Sequence, residues 1–364
     1  MKLLYLVPSV NQAGGVAKVL ATKTDYFIQN FGYEVHIMTQ NKGYETPFFE
    51  FNTQIVWHDI ERKGYFLSAI YAYKKQLQKI ISQVQPDSII VADNGLKGYL
   101  VPFLIGKNSP VIFECHGSKY VNERPFTFPF LSRLWFLIGV SVKKWGAKTF
   151  DAFVVLNKES AQEWNSKNSM IIANPLSFKS EGPALLDAKK VLAVSRNSYE
   201  KGLDRLLEIW SLLIQKYPDW KLDIYGTLSP EENLIPLANA LGIASSVRFY
   251  PPVSEVAKLY ANASMLVMTS RSEGLGLVLL EAMASGLPCV AYDCPVGPRS
   301  IITDGVNGFL VEDGNAIAFS EKLALLFEDK DLRKKLGANA RQSVSEYDLD
   351  AIMLQWKTLF ERLQ

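Results

Sequence analysis

The chain has 364 residues, of which 48% are hydrophobic and 21% are charged, so it can bury more than one domain core. Its formal net charge of +2 is unevenly distributed, with +6 over residues 1–175 and −4 over residues 176–364. Such a split is typical of a basic half that meets an anionic partner, although scatter between two solvated surfaces would also produce it. We expect no nucleic-acid partner.

The cysteines argue against a disulfide-rich or zinc-binding protein, and the apolar runs argue against a secreted or membrane-spanning one. Cys115, Cys289 and Cys294 are too few and too scattered for a disulfide framework or a zinc site, which favours a reducing cytosol. The apolar run at residues 1–10 is broken before any signal-peptide cleavage pattern, and the stretch Leu134–Val142 has about half of the ~20 residues that a spanning helix requires. We therefore expect a cytoplasmic protein, with at most a peripheral position on the inner face of the cell membrane.

Short apolar or β-branched runs alternate with helical patterns in the first half of the chain, which predicts βαβ units and a parallel sheet. The predicted strands are Lys2–Val7, Glu34–Thr39, Ser88–Ala92, Val111–Cys115 and Ala152–Leu156. The region 41–62 is less regular. A final strand at residues 171–175 runs into a break, and residues 177–187 form the predicted linker.

The same alternation resumes in the second half and predicts a second doubly wound sheet. Its strands are Val191–Ser195, Lys221–Tyr225, Val247–Tyr250, Met265–Thr269 and Pro288–Tyr292, with a helix at Gly202–Lys216. The predicted domains are residues 1–175 and residues 176–347. Residues 348–364 form an amphipathic helix that we expect to pack back on the first domain.

Doubly wound sheets bind ligands at the carboxyl ends of their strands, so the chemistry is expected in the loops that follow strands. The first such loop contains Gly14 and Gly15, just before a predicted helix. Glycines let the backbone approach a ligand closely, and the helix start offers free N–H groups to an anion. A Gly-Gly pair also serves in plain turns, so by itself the signal is weak.

A second loop, residues 195–202, follows the first strand of the second half and carries Arg196 and Lys201. Both cations can reach a diphosphate from there, the arginine as a fork and the lysine as a point charge. By itself this loop could equally be a solvated turn.

The third motif, Ser272–Pro288, is the most specific. Glu273 precedes a glycine-rich helix start, and Glu281 lies inside the otherwise apolar helix. A carboxylate in such a helix needs a partner, because burying it unpaired is costly. A vicinal diol such as a ribose would supply two donors. The alternative is a glutamate exposed on one helix face.

Glu273 and Glu281, with seven residues between them, resemble the motif of the retaining glycosyltransferases of the GT-B fold. The chain as a whole resembles glycosyltransferase family 4, because the glycine loop, the basic loop and the glutamate motif occur in the expected order. The resemblance implies an α/β protein of GT-B type, in which two doubly wound, Rossmann-like domains face each other across a cleft. The first domain would bind the acceptor, and the second would bind the nucleotide sugar.

The resemblance implies a role in donor binding for five of these residues. Glu281 would hold the ribose hydroxyls. Arg196 and Lys201 would neutralise the leaving diphosphate, assisted by backbone N–H groups at Gly14 and Gly15.

The resemblance also assigns residues to the transferred sugar. Glu273 would hold this sugar together with the backbone N–H groups of Gly274, Leu275 and Gly276. His116 matches the family's histidine near the sugar and the acceptor. A lone histidine is more often structural, but its position after a strand favours a functional role. The resemblance thus implies four catalytic residues, namely His116, Glu273, Arg196 and Lys201.

Fixed positive charge aimed at the leaving phosphate stabilises the transition state, so we expect no cofactor and no metal ion. The sequence has no Asp-x-Asp signature at a predicted strand end. It also offers no convincing nucleophile for a double displacement of the kind that retaining glycosidases use. We therefore favour front-face attack, in which the departing phosphate oxygen takes the acceptor proton.

Residues 293–302 resemble the Cys-Pro-x-Gly-Pro loop of family members that use UDP-hexoses or UDP-N-acetylhexosamines in bacterial surface-polysaccharide assembly. Relatives usually carry glutamate where this chain has Ser300. The stretch Tyr120–Phe150 is aromatic and basic, which suits a helix on an anionic membrane that carries a lipid-linked acceptor. The alternative is that these aromatic residues form the core side of a long helix.

We therefore expect a retaining hexosyltransferase that moves a sugar from a UDP-sugar to a hydroxyl of a lipid-linked or polysaccharide acceptor. Two alternatives remain. The first is a UDP-sugar epimerase of related architecture, although its acid/base set is not evident among only three histidines. The second is a sugar-nucleotide-binding subunit that needs a partner.

Overall fold

The computed structural model describes residues 1–40, 46–61, 66–106, 109–119, 129–176, 182–227 and 233–364. The chain forms two compact units. Unit 1 comprises Met1–Pro175 and Leu349–Gln364, and unit 2 comprises Leu176–Asp348. Residues 177–181 of the predicted linker lie outside the described residues.

Strands and helices alternate along the chain. The strands are β1 (Lys2–Leu6), β2 (Glu34–Thr39), β3 (Val56–Asp59), β4 (Ser88–Val91), β5 (Val111–Glu114), β6 (Ala152–Val155), β7 (Ser169–Ile171), β8 (Lys190–Val194), β9 (Lys221–Tyr225), β10 (Val247–Tyr250), β11 (Met265–Met268), β12 (Cys289–Tyr292) and β13 (Phe309–Val311). The helices are α1 (Gly15–Phe31), α2 (Phe66–Val84), α3 (Leu96–Tyr99), α4 (Val101–Leu104), α5 (Pro129–Ala147), α6 (Lys158–Trp164), α7 (Leu203–Ser211), α8 (Leu234–Ala240), α9 (Ala257–Ala261), α10 (Leu277–Ala284), α11 (Ala316–Glu328), α12 (Lys330–Ser343) and α13 (Leu349–Leu363). Among these described helices, none is both long and apolar enough to cross a membrane.

Unit 1 contains a parallel seven-stranded sheet in the order β3-β2-β1-β4-β5-β6-β7. The strand order reverses between β1 and β4, and a doubly wound sheet binds ligands at such a reversal. Strand β3 lies in the region that the sequence left without a regular assignment. It is a short edge strand with Val56 and Trp57 largely exposed, so it lacks the buried pattern that marks the other strands.

Two apolar layers cover the faces of this sheet. One layer joins β1 and β2 to α1 and α13, with Phe27, Trp356 and Phe360 fully buried. The other layer packs α2 against the opposite face through Leu77 and Ile80. Each such side chain contributes about 1.5–3 kcal/mol when it is fully buried. The apolar stripe of α13 therefore joins the end of the chain to the core of unit 1.

Unit 2 contains a parallel six-stranded sheet in the order β10-β9-β8-β11-β12-β13. Its strand order reverses between β8 and β11, which are hydrogen-bonded neighbours. Helices α7 and α11 pack on one face of this sheet around Trp210 and Phe319, both of which are completely buried. The loops that follow β8 and β11 therefore leave the sheet side by side at the reversal.

Candidate active site

The two predicted loops of unit 2 form one site at the strand reversal. The Thr269 hydroxyl donates to the Gly202 carbonyl at 2.8 Å, and the Arg271 backbone N–H donates to the Glu200 carbonyl at 2.7 Å. Gly202 has φ +61°, and a Cβ there would lie 2.2 Å from the Thr269 carbonyl oxygen. Only glycine fits this position, because it combines a left-handed backbone with close contact to another backbone. The basic loop is thus hydrogen-bonded directly to the segment that leads from β11 into the glutamate motif.

Arg271 strengthens this junction. Its guanidinium donates to the Tyr199 carbonyl at 2.8 Å and makes a two-pronged contact with the Asp204 carboxylate. It also lies over the Tyr199 ring, 4.2 Å from the centroid. Planar, bidentate contacts of this kind are the ones that arginine makes best. Arg271 therefore stabilises the basic loop through its contacts with Tyr199 and Asp204.

Glu273 is only 8% exposed, and its Oε1 accepts two hydrogen bonds. Lys201 Nζ donates to it at 2.7 Å, and the Ser270 hydroxyl donates at 2.6 Å. The sequence predicted that Glu273 and Lys201 each face the ligand, and the structure pairs them with each other. An ammonium group has three N–H donors, so this pairing leaves donor capacity on Lys201 for a second anion.

The Cys-Pro-x-Gly-Pro loop is joined to the same glutamate. The Glu273 backbone N–H donates to the Pro295 carbonyl at 2.8 Å, and the Val296 N–H donates back to the Glu273 carbonyl at 3.1 Å. A Cβ at Gly297 would lie 2.8 Å from the Leu275 carbonyl group, so the two loops are in close backbone contact. The loop that follows β12 is therefore held against the predicted sugar-binding residues.

The glycine-rich segment Gly274–Gly276 leads into α10. Gly276 takes φ +87° as the residue before the helix, a backbone conformation that favours glycine. The first turn of a helix leaves backbone N–H groups without intrahelical partners, and these groups can bind an anion or a hydroxyl oxygen. The residues predicted to supply N–H donors, 274–276, lie immediately before this first turn, and their role in sugar binding stays a prediction.

Glu281 lies inside α10 and is 2% exposed, so the exposed-face alternative is wrong. The requirement for a partner that the sequence predicted is met within the protein, because the Tyr260 hydroxyl donates to Glu281 Oε2 at 2.8 Å. Tyr260 lies on α9 and is completely buried.

Arg196 differs from the other charged residues of the site. Its side chain is exposed, and within the part of the chain that the structure describes it makes no hydrogen bond or ion pair. An arginine of this kind keeps all five N–H donors for an anion in solution. Lys201 is paired with Glu273, whereas the Arg196 side chain pairs with no acidic group among the described residues.

The glycine loop of unit 1 leads into α1, and Gly14 is the residue before the helix. Gly14 has φ −153°, which any residue can adopt, and a Cβ at Gly15 would meet nothing within 4 Å. The local fold therefore does not require glycine at either position. The first turn of α1 carries backbone N–H groups that have no partner inside the helix, and such groups can bind an anion.

His116 follows β5, and its side chain is 5% exposed. Its Nε2 lies 3.4 Å from Glu114 Oε1, which also forms an ion pair with Lys23 Nζ at 2.5 Å. Burial lowers the pKa of His116, the Glu114 carboxylate opposes this shift, and the Lys23 charge adds to it. The imidazole is therefore neutral near pH 7 and is able to accept one hydrogen bond and donate another.

Five residues that support these groups were not predicted from the sequence, namely Lys23, Glu114, Tyr260, Ser270 and Arg271. Ser270 and Arg271 lie in the same loop as Glu273. Glu114 lies two residues before His116. Lys23 and Tyr260 reach their partners from other elements of the fold.

Two family models match the chain: glycosyl transferases group 1 over residues 178–343, and glycosyl transferase 4-like over residues 16–147. An uncharacterized glycosyltransferase of Haemophilus influenzae is 30% identical over 363 residues, which cover 98% of this chain and 99% of the relative. The amylovoran biosynthesis glycosyltransferase AmsD of Erwinia amylovora is 25% identical over 370 residues, with 98% and 99% coverage.

Solved structures show the same fold. TarM of S. aureus, crystallised with fondaparinux, alpha-GlcNAc-glycerol and UDP, superposes with a TM-score of 0.81 at 17% identity, over 99% of both chains. Anabaena HepE in complex with UDP and glucose gives a TM-score of 0.79 at 18% identity over 100% of both chains. The predicted GT-B fold is confirmed, and the chain belongs to the glycosyltransferases.

Proposed function

We propose that the protein is a retaining, metal-independent glycosyltransferase of family 4 that uses a UDP-sugar. It transfers a hexose or N-acetylhexosamine to a sugar hydroxyl on a lipid-linked or polysaccharide acceptor. The observation that carries the proposal lies at the strand reversal of unit 2. There Lys201 pairs with Glu273, 2.7 Å from Nζ to Oε1, and the same loop after β8 carries the exposed Arg196.

In the proposed reaction, the bond between the sugar's anomeric carbon and the β-phosphate oxygen breaks as UDP leaves. Arg196 and Lys201 neutralise the negative charge that develops on the diphosphate. The acceptor oxygen bonds to the anomeric carbon on the same face, and its proton passes to the departing phosphate oxygen. Glu273 and the N–H groups at Gly274–Gly276 hold the sugar hydroxyls during this step.

Glu281 is assigned to the ribose, and Gly14, Gly15 and His116 keep the roles that the family resemblance implies. For Gly15, open space around the position supports the assignment to a phosphate. For His116, the neutral imidazole supports hydrogen bonding to a sugar hydroxyl. These residues complete the proposed donor and acceptor contacts.

Two observations support the choice of donor. TarM and HepE, which share the fold, were crystallised with UDP. The loop that resembles UDP-sugar-using relatives is also backbone-paired to Glu273. The amylovoran enzyme, whose similarity covers the whole chain, supports a role in polysaccharide biosynthesis.

We also propose that α5 contacts an anionic membrane and so meets a lipid-linked acceptor. Trp135, Ile138 and Trp145 are 72%, 44% and 54% exposed, and their spacing places them along one side of the helix. Phe103 stacks on Trp145 with ring centroids 4.3 Å apart and extends this apolar strip. Lys144 is exposed beside it. Apolar side chains flanked by cations are typical of helices that lie in a membrane interface.

The core side of α5 is formed by other residues, since Val140 and Ala147 are buried. The exposed tryptophans are therefore not the core stripe that the alternative interpretation required. Residues 120–128 of the predicted aromatic stretch lie outside the described residues.

The test is nucleotide release from UDP-, GDP- and ADP-sugars, with and without vesicles that contain bacterial membrane lipids. We expect lipid-dependent release from a UDP-sugar, unaffected by EDTA, and an unchanged anomeric configuration in the product. Arg196→Met should lower the rate by about a hundredfold, the scale of losing one preorganised charge contact. Arg341→Met, which removes an exposed arginine on α12 of the same unit, is the matched control.

Three results would contradict the proposal: loss of release in EDTA, inversion at the anomeric carbon, or equal rates for the two arginine variants. UDP binding without release from any donor would instead favour the epimerase or the subunit interpretation.

A further inference from the structure

The hydrogen bond between Tyr260 and Glu281 has no role in the proposed chemistry. Tyr260 is 0% exposed and Glu281 is 2% exposed, and the neighbouring Leu279 and Leu280 are completely buried. The hydroxyl and the carboxylate oxygen Oε2 are 2.8 Å apart. A buried carboxylate needs hydrogen bonds, so this contact is partly a matter of stability.

The contact with Tyr260 also bears on the orientation of the Glu281 carboxylate. The terminal torsion of a glutamate is broad, so a carboxylate without a fixed donor can rotate over a wide range. Tyr260 is a fixed donor, because its ring is enclosed and its backbone N–H bonds to the carbonyl of Val256, the residue before α9. Burial first, and then the Glu281 charge, raise the pKa of Tyr260 well above its usual value, so the hydroxyl keeps its proton and remains a donor.

Orientation matters for a vicinal diol, since its two hydroxyls donate best to a carboxylate whose plane is aligned with them. We propose that Tyr260 is a positioning residue that sets the orientation of Glu281, and that it thereby determines the preference of the site for ribose over deoxyribose nucleotides. The inference rests on the proposed role of Glu281 in holding the ribose. It adds a residue on another helix that tunes the same contact.

The experiment compares the dissociation constants of UDP and 2′-deoxy-UDP for the wild type, Tyr260→Phe and Glu281→Gln. We expect the wild type to prefer UDP by about ten- to a hundredfold, the scale of one hydrogen bond to a charged group. Tyr260→Phe should reduce this preference by about fivefold, through weaker UDP binding with 2′-deoxy-UDP binding nearly unchanged.

A matched control is available in the same unit. The Tyr217 hydroxyl also bonds to a glutamate, Glu328, on an exposed surface. Tyr217→Phe removes the same chemical contact and should leave both dissociation constants unchanged. If Tyr260→Phe does not fold, 4-aminophenylalanine at position 260 supplies a weaker N–H donor, and the preference for UDP should then lie below that of the wild type.

The outcomes separate the two proposals. Equal weakening of both nucleotides in Tyr260→Phe, or an unchanged preference, would overturn the positioning role while Glu281→Gln still loses the preference. If Glu281→Gln keeps the wild-type preference for UDP, then the ribose role of Glu281 is wrong and the inference for Tyr260 is overturned with it.

Discussion

Replacing Lys23 with methionine should destabilise unit 1 strongly. Lys23 and Glu114 have 1% and 3% of their side chains exposed, and their charged atoms are 2.5 Å apart. Lys23 Nζ also lies 3.6 Å from the centroid of the Trp356 ring. Methionine fills nearly the same volume, but it leaves the Glu114 carboxylate buried without its cation. Breaking a buried pair from one side typically costs about 3–5 kcal/mol of unfolding free energy.

The double variant Lys23→Met, Glu114→Gln should recover much of this loss, because it removes both charges together. Replacing a buried pair with neutral residues of similar volume is often close to neutral. The control is Lys216→Met, since Lys216 pairs with Glu328 at 3.0 Å with 71% and 55% of the two side chains exposed. That change should have little effect on stability, because ion pairs between exposed side chains contribute little.

Urea unfolding followed by circular dichroism would give the overall free energy. Hydrogen exchange at the amides of β1 and β5 would report unit 1 alone, because both strands lie in its central sheet. The reasoning would be refuted if Lys23→Met cost no more than Lys216→Met, or if the double variant were as unstable as the single one.

Three further results are expected. Gly202→Ala should lower the thermal stability by at least about 1–2 kcal/mol, because φ is +61° and its Cβ would overlap the Thr269 carbonyl, whereas Gly15→Ala should not. Arg271→Lys should lower the free energy of unfolding by about 1 kcal/mol. A double-mutant cycle with Asp204→Asn should show energetic coupling, and strictly additive effects would contradict the role of the Arg271–Asp204 contact. Burial raises the pKa of Asp204, but the Arg271 hydrogen bond and charge lower it overall. The stabilisation is thus present above about pH 4 and lost below it, so Asp204→Asn and the wild type should converge in acid unfolding curves.

Much of the fold follows from local pattern. Predicted and observed bounds agree for β2, β9 and β10, and they differ by one or two residues for most other strands. Buried parallel strands appear as continuous apolar runs, which are readily recognised. Strands β3 and β13 were not predicted. Both are short edge strands, and β3, with exposed Val56 and Trp57, carries no such run. The predicted helix at 202–216 ends earlier, at Ser211, where the chain continues as turns.

The candidate site was predictable only as a set of separate motifs. Glycines before helices, paired cations and spaced glutamates are signals that a few neighbouring residues carry. The neighbouring residues do not reveal which distant side chains these residues contact in the folded protein. Lys201 and Glu273 were expected to face a ligand separately, and they form an ion pair across 72 positions of the chain. No local pattern contains that information.

The sequence by itself determined the element types, the two-domain organisation that we predicted, and the order of the motifs. These follow from periodicity and turn chemistry over ten or twenty residues. Only the tertiary structure decided which loops are neighbours, because this depends on strand order: β8 lies beside β11, although 70 residues separate Val194 from Met265. The same reason explains Lys23 and Glu114, which meet across 91 positions. A buried charge or hydroxyl must find a partner, but the fold chooses which one.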